Sequence, residues 1–208
     1  MSLFALLLAA ATPERVDPGL EPADVVEQYR AWATSQKRTG PRAELVCQPF
    51  AEGLKLCFSH ATAKGRAYYT AADGLDAAAL FARGVGTQTE ALARLERTPV
   101  EGFAQSYWLS SRGDGRDHVP VLFPEDLRAL VGGDVVIAAP VHGVLLAWLP
   151  GDLDFDKAVA VGVKQMYETL PDPVSPLLYR WDGKLWRTWG EAKLAEPIAS
   201  PPPSPVPG

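Results

Sequence analysis

Any chemistry performed by this chain of 208 residues would rest on three histidines, two cysteines, a short alternation of aspartates and its tryptophans. Imidazole is the side chain whose ordinary pKa lies nearest neutrality, so His118 and His142 are the candidates for acid–base work. A hydrolytic triad would hold such a ring between a carboxylate and a hydroxyl. Neither histidine has that company along the chain. His118 precedes Val119-Pro120 at the start of an element, and His142 stands in the turn Pro140-Val141-His142-Gly143. His60 ends a strand. No G-x-S-x-G elbow exposes a serine, and Ser106, Ser110, Ser111 and Ser175 carry no mark of activation. Gly84-Val85-Gly86-Thr87 lacks a P-loop lysine and the third glycine of a dinucleotide fingerprint, and reads as a helix break.

Asp152, Asp154 and Asp156 alternate like the opening of a calcium loop. The glycine that should follow the third acid is missing, and Val163 stands where the closing glutamate belongs. Capping of a helix by Asp154 or Asp156 is the preferred reading. Trp181 and Trp186 crowd the last hairpin. With Trp181 paired near Lys184 they could share a face and form an aromatic binding surface, with packing as the plain alternative. No catalytic residue, cofactor or metal is assigned at this level.

The cysteines are more specific. Cys47 and Cys57 flank two short strands around Ala51-Glu52-Gly53. Pairing Phe50 with Leu54 sets Cys47 opposite Cys57. Val46, Phe50, Leu54, Leu56 and Phe58 then share the apolar face. The cysteines fall on the more polar face, within bridging distance. Two unrelated thiols are the alternative. A disulfide would point to an oxidising compartment. Two cysteines cannot complete a tetrahedral zinc shell, and His60 does not supply the rest.

Residues 3–11 are unbroken apolar, and Ala9-Ala10-Ala11 has the form of a signal-peptidase site. The run is too short to span a bilayer, and no basic residue precedes it. It reads as a short export signal or as an N-terminal strand of a cytoplasmic protein. Residues 12–22 read as a linker, which favours export to the periplasm or beyond. The division expected is an apolar N-terminus and linker over 1–20, a single domain over 21–192, and a disordered Pro-rich tail over 193–208.

Hydrophobic residues make up 47% and charged residues 22% of the chain, enough to bury a core. The formal charge of −5, with no basic cluster longer than Lys37-Arg38, argues against nucleic acid as partner. A helix is expected over 21–37 with Val25, Tyr29, Trp32 and Ala33 on its buried stripe. Hairpins and short helices follow, including a strand over 134–139 apolar enough to be covered on both faces. Without regular βα alternation, the fold class is α+β: a mainly antiparallel sheet of hairpins covered by three or four helices. The core should include Val46, Phe50, Leu56, Phe58, Leu80, Phe81, Tyr107, Leu127, Val135, Ile137, Leu145, Ala147, Val159, Met166 and Leu178.

One order of motifs is familiar. Arg66-Ala-Tyr-Tyr-Thr70, Leu75 with Ala79-Leu80, and Leu92 are followed by Gly133-Asp-Val-Val-Ile-Ala-Ala-Pro140 and Val144-Leu-Leu. Pro173-Val-Ser-Pro-Leu-Leu-Tyr-Arg180, Asp182-Gly183 and Trp186 complete it. Over residues 66–189 this resembles the YtpQ-like family of uncharacterised bacterial proteins. The resemblance implies no activity and no catalytic residue. The sequence therefore points to a non-catalytic binding or interaction protein of the bacterial cell envelope, its partner an unknown protein or small molecule. Two alternatives stand beside it. One is a cofactor-free hydrolase whose histidine and carboxylate meet only in the fold. The other is a cytoplasmic regulatory partner.

Overall fold

The first strand, β1 (Asp17–Pro22), lies where a linker is expected. All six of its residues pair antiparallel with β3 (Leu54–Thr62), from Asp17 opposite Ser59 to Pro22 opposite Leu54. Two prolines are tolerated because β1 is an edge strand. The N–H of Leu20 points away from β3 and donates to Nδ1 of His118 at 3.1 Å. Pro18 and Pro22, two residues to either side, share that outward parity and so remove no ladder bond. A computed structural model describes residues 15–63 and 65–190; the apolar N-terminal segment, the first residues of the expected linker and the Pro-rich tail lie outside them.

Helix α1 (Val25–Ser35) follows, then a 3-10 turn (Gly40–Ala43) and β2 (Cys47–Ala51). The β2–β3 turn is tighter than expected: Ala51 pairs with Leu54 across Glu52-Gly53. A bulge at Phe50 absorbs the extra residue and restores Cys47 opposite Cys57. β4 (Gly65–Tyr68) pairs with the far end of β3 and completes a four-stranded antiparallel sheet.

A 3-10 turn (Ala71–Asp73), α2 (Ala77–Gly84) and α3 (Gln88–Leu92) lead into the second sheet. Its strands are β5 (Glu96–Pro99), β6 (Ser106–Ser110), β7 (Val136–Ala138), β8 (Leu145–Trp148), β9 (Leu178–Trp181) and β10 (Trp186–Thr188). Their order is β10-β9-β7-β8-β6-β5, antiparallel throughout. A 3-10 turn (Val119–Leu122) and α4 (Pro124–Val131) connect β6 to β7, and α5 (Leu153–Thr169) connects β8 to β9. The α+β class and antiparallel pairing hold, with the strands divided between two sheets rather than one.

Period-two alternation places the core. Leu20, Leu54, Leu56 and Phe58 from the first sheet meet Val135, Ile137, Ala139, Leu145, Ala147 and Tyr179 from the second, with Leu80 and Leu127 from α2 and α4. The intervening residues Val136, Ala138, Leu146 and Trp148 point the other way, onto Phe155, Val159 and Val163 of α5. The central strand is thus buried on both faces. Burial of each valine, leucine, isoleucine or phenylalanine among them contributes about 1.5–3 kcal/mol.

Helix α1 departs from its expected role. Of its stripe only Ala33 is buried, while Trp32 is 46% exposed. The helical period is present, but the aromatic side faces an open cleft.

Candidate functional site

Residues that pair across strands project to the same face. Asp17 faces Ser59 and Ser59 faces Tyr68, so Asp17, Glu21, Tyr68 and Arg66 lie on one side of the first sheet. Gly19, Cys57 and Cys47 form the row between them, and the two sulfurs are bonded. The other side of β1 and β3 is the core.

Glu21 is the hub. It is only 2% exposed, yet it accepts from three side chains. The Tyr68 hydroxyl donates to Oε1 at 2.7 Å, and Arg66 Nη1 donates to the same oxygen at 3.2 Å. His142 Nε2 reaches Oε2 at 2.7 Å. A buried carboxylate is tolerated when its lone pairs are met in this way. Arg66 Nη1 also lies 3.3 Å from Nδ1 of His142. A guanidinium can only donate, so Nδ1 accepts and Nε2 carries the proton given to Glu21. Burial, and then the Glu21 charge, push the Tyr68 phenol well above its usual range, which keeps its hydroxyl a donor.

His118 has a different task. Its ring is buried, its Nδ1 takes the Leu20 N–H, and its Nε2 then donates to the Val144 carbonyl at 3.1 Å. The ring stitches β1 to the segment leading into β8. Burial, with the nearby His142 adding to it, lowers its pKa to about 4. The two imidazoles stand 6.3 Å apart, centre to centre. Only His142 meets a carboxylate.

His142 and Glu21 lie at the floor of an open cleft of about 590 Å³. Val25, Tyr29 and Trp32 of α1 line it, with Tyr68, Tyr167, Asp24 and Asp172. Tyr29 packs 5.3 Å from Trp32 and 6.4 Å from Tyr68. Among the described residues, no serine, threonine or cysteine lines the cleft. The histidine–carboxylate pair that a hydrolase would need is assembled, but its second nitrogen faces Arg66 rather than a hydroxyl nucleophile.

Two of the four candidate serines are occupied elsewhere, and Ser106 and Ser111 do not line the cleft. The Ser110 hydroxyl donates to buried Asp117 at 2.7 Å, where the amides of Arg112 and Gly113 also converge. Ser175 bonds the Tyr179 hydroxyl at 2.9 Å. His60 lies against the Tyr69 ring, centres 5.0 Å apart. The aspartate alternation is a helix start, with a changed assignment. Asp152 caps α5 through the amides of Asp154 and Phe155, while Asp156 turns inward to accept from the Trp148 indole at 2.9 Å.

The tryptophan surface is corrected. Trp181 pairs with Trp186, not near Lys184, because the turn spans four residues from Asp182 to Leu185. Trp186 is 4% exposed and donates to the Val121 carbonyl from inside the core. Trp181 packs on it and donates to Glu125. Trp186 therefore offers no stacking face. The exposed indole beside a cleft is Trp32.

Glu21, Arg66 and Tyr68 escape sequence reasoning. Glu21 sits between Leu20 and Pro22, where it resembles a helix entry. The signal present is the alternation Asp17-x-Gly19-x-Glu21, one polar face of a strand, obscured by the two prolines. Comparison with protein-family models, with curated proteins and with solved structures finds no match to this chain, so the YtpQ-like resemblance supplies no residue to the reading that follows.

Proposed function

We propose that this chain is a non-catalytic binding protein of an oxidising compartment, the periplasm or exterior of a bacterial cell, and that its ligand lodges in the cleft beside α1. The observation that carries this reading is a solvent-open, aromatic-walled cleft whose only histidine–carboxylate pair is closed on itself. Every polar atom of the Glu21 and His142 side chains is taken by a neighbour, so this pair offers no free base or nucleophile to an entering molecule. Concave sites with aromatic walls and a few polar groups suit small ligands. The compartment is supported by the Cys47–Cys57 bond and by the apolar segment 3–11.

A specific distance favours a second reading. His142 Nε2 and Glu21 Oε2 at 2.7 Å are the acid–base half of a hydrolase. One experiment separates the two. The full chain is unfolded thermally against a panel of amines, sugars, carboxylates and amino acids, and assayed in parallel for ester, amide and phosphoester turnover. A binding protein gives a ligand that raises the midpoint of the wild type and not of Trp32→Ala, with no turnover. Turnover that His142→Asn abolishes would establish the hydrolase instead.

A further inference from the structure

The geometry points to a small organic cation as the occupant of this cleft: an amine, a quaternary ammonium or a guanidinium. The assignment rests on the binding reading above and adds the charge of the ligand.

Three observations converge on it. Among the described residues the lining contains the carboxylates of Glu21, Asp24 and Asp172 and no lysine or arginine. Glu21 is spent on its own donors, the Arg66 guanidinium among them, so the free charge of the lining lies on Asp24 and Asp172. Asp24 accepts from Gln28 through one oxygen, at 2.7 Å, and Asp172 has no side-chain hydrogen bond among the described residues. The same wall carries the rings of Tyr29, Trp32, Tyr68 and Tyr167, whose π faces are electron-rich and attract desolvated cations. Finally, the Trp32 indole already attracts a cation: the guanidinium carbon of Arg38, a residue outside the cleft lining, lies 5.0 Å from its ring centre. A bare metal ion would require converging oxygens or imidazoles. Among the described residues no three histidine, cysteine, aspartate or glutamate side chains form such a group. Rings combined with separated carboxylates suit an organic cation.

The test uses matched probes on the ¹⁵N-labelled full chain, reading the Trp32 indole N–H resonance assigned with Trp32→Phe. Choline is titrated beside dimethylbutanol, its neutral carbon isostere, and dimethylbutyrate, the corresponding anion. Choline is expected to shift the Trp32 signal saturably and to bind about ten-fold tighter than the isostere, the scale of a partly desolvated cation–π contact. Asp172→Asn should weaken choline by roughly three-fold, one exposed charge pair. Asp172 has a φ of 56°, which asparagine also adopts, so this variant keeps the backbone. Arg38→Ala should strengthen choline by about two-fold by removing a competing positive charge from the indole, a gain that damage to the fold would not produce. Equal or tighter binding of the isostere or the anion overturns the cation assignment and leaves the binding reading standing. If all three probes are silent, the charge of any hit from the thermal panel decides: a cation supports the assignment, and a neutral or anionic hit overturns it. Silence of the probes together with a blank panel overturns both.

Discussion

Acidification should unlock the first strand through His118. In the fold this ring is a neutral acceptor for Leu20 and a donor to Val144, and burial lowers its pKa from an ordinary 6.5 to about 4. The unfolded chain therefore takes up a proton near pH 6.5 that the folded chain refuses until about pH 4. Between these values the unfolded state binds more protons, so stability falls as pH falls. At 1.36 kcal/mol per pKa unit, the His118 contribution to this loss is about 3 kcal/mol. Urea midpoints measured from pH 7 down to about pH 4 read it directly. His118→Asn supplies the control. Its amide oxygen can accept the Leu20 N–H but does not titrate, so its midpoint should move far less over the same window. Asp182, held at about 2 by the Leu185 amide, Arg187 and the Lys184 amide, titrates below the window. Wild type and variant losing stability in parallel would refute the argument, because the acid sensitivity would then lie elsewhere.

Other outcomes follow from the same contacts. Reducing Cys47–Cys57, a loop with a sequence separation of 10, should cost roughly 3 kcal/mol in urea, and intact mass should rise by two hydrogens. Asp156→Ala should cost about 2–3 kcal/mol, because it leaves the Trp148 indole and the Gly151 amide unpaired, whereas Asp156→Asn should cost roughly 1–2 kcal/mol, because its one amide oxygen accepts from only one of those two donors. Burial holds the Asp156 carboxyl above its ordinary range, so the charge penalises the fold at neutral pH and the penalty eases as pH falls, opposite in sign to His118. Tyr68→Phe should lower stability by roughly 1–3 kcal/mol by removing one donor from buried Glu21. Gly84→Ala should destabilise by roughly 1–2 kcal/mol despite its better helix propensity, since the new methyl would meet Val16 and Pro18 side-chain atoms at 3.0 Å and the Val16 carbonyl at 3.1 Å.

Much of the framework was legible because strand alternation is local. Cys47 facing Cys57 follows from a period of two, even though the turn is shorter than expected and a bulge at Phe50 corrects the register. The strand apolar at every position from 135 to 139 had to be covered on both faces, and it is. The stripe of α1 shows the limit of periodicity. Val25, Tyr29 and Trp32 are helically spaced, but spacing names a face and not what covers it. The site was less legible because its parts are far apart in the chain. Glu21 and Arg66 are separated by 45 positions, and Arg66 and His142 by 76. No local pattern announces that a carboxylate between Leu20 and Pro22 will be buried. His142 could be picked out by residue type, but the partner that defines it could not.

The closure of that histidine is the claim on which the binding reading stands, and the ¹⁵N resonances of its imidazole test it most directly. Nδ1 should be unprotonated and Nε2 protonated, unchanged when a cleft ligand or a candidate ester is added. A proton that leaves Nε2 or moves to Nδ1 as such a molecule enters would contradict it, for that is the behaviour of a working acid–base group.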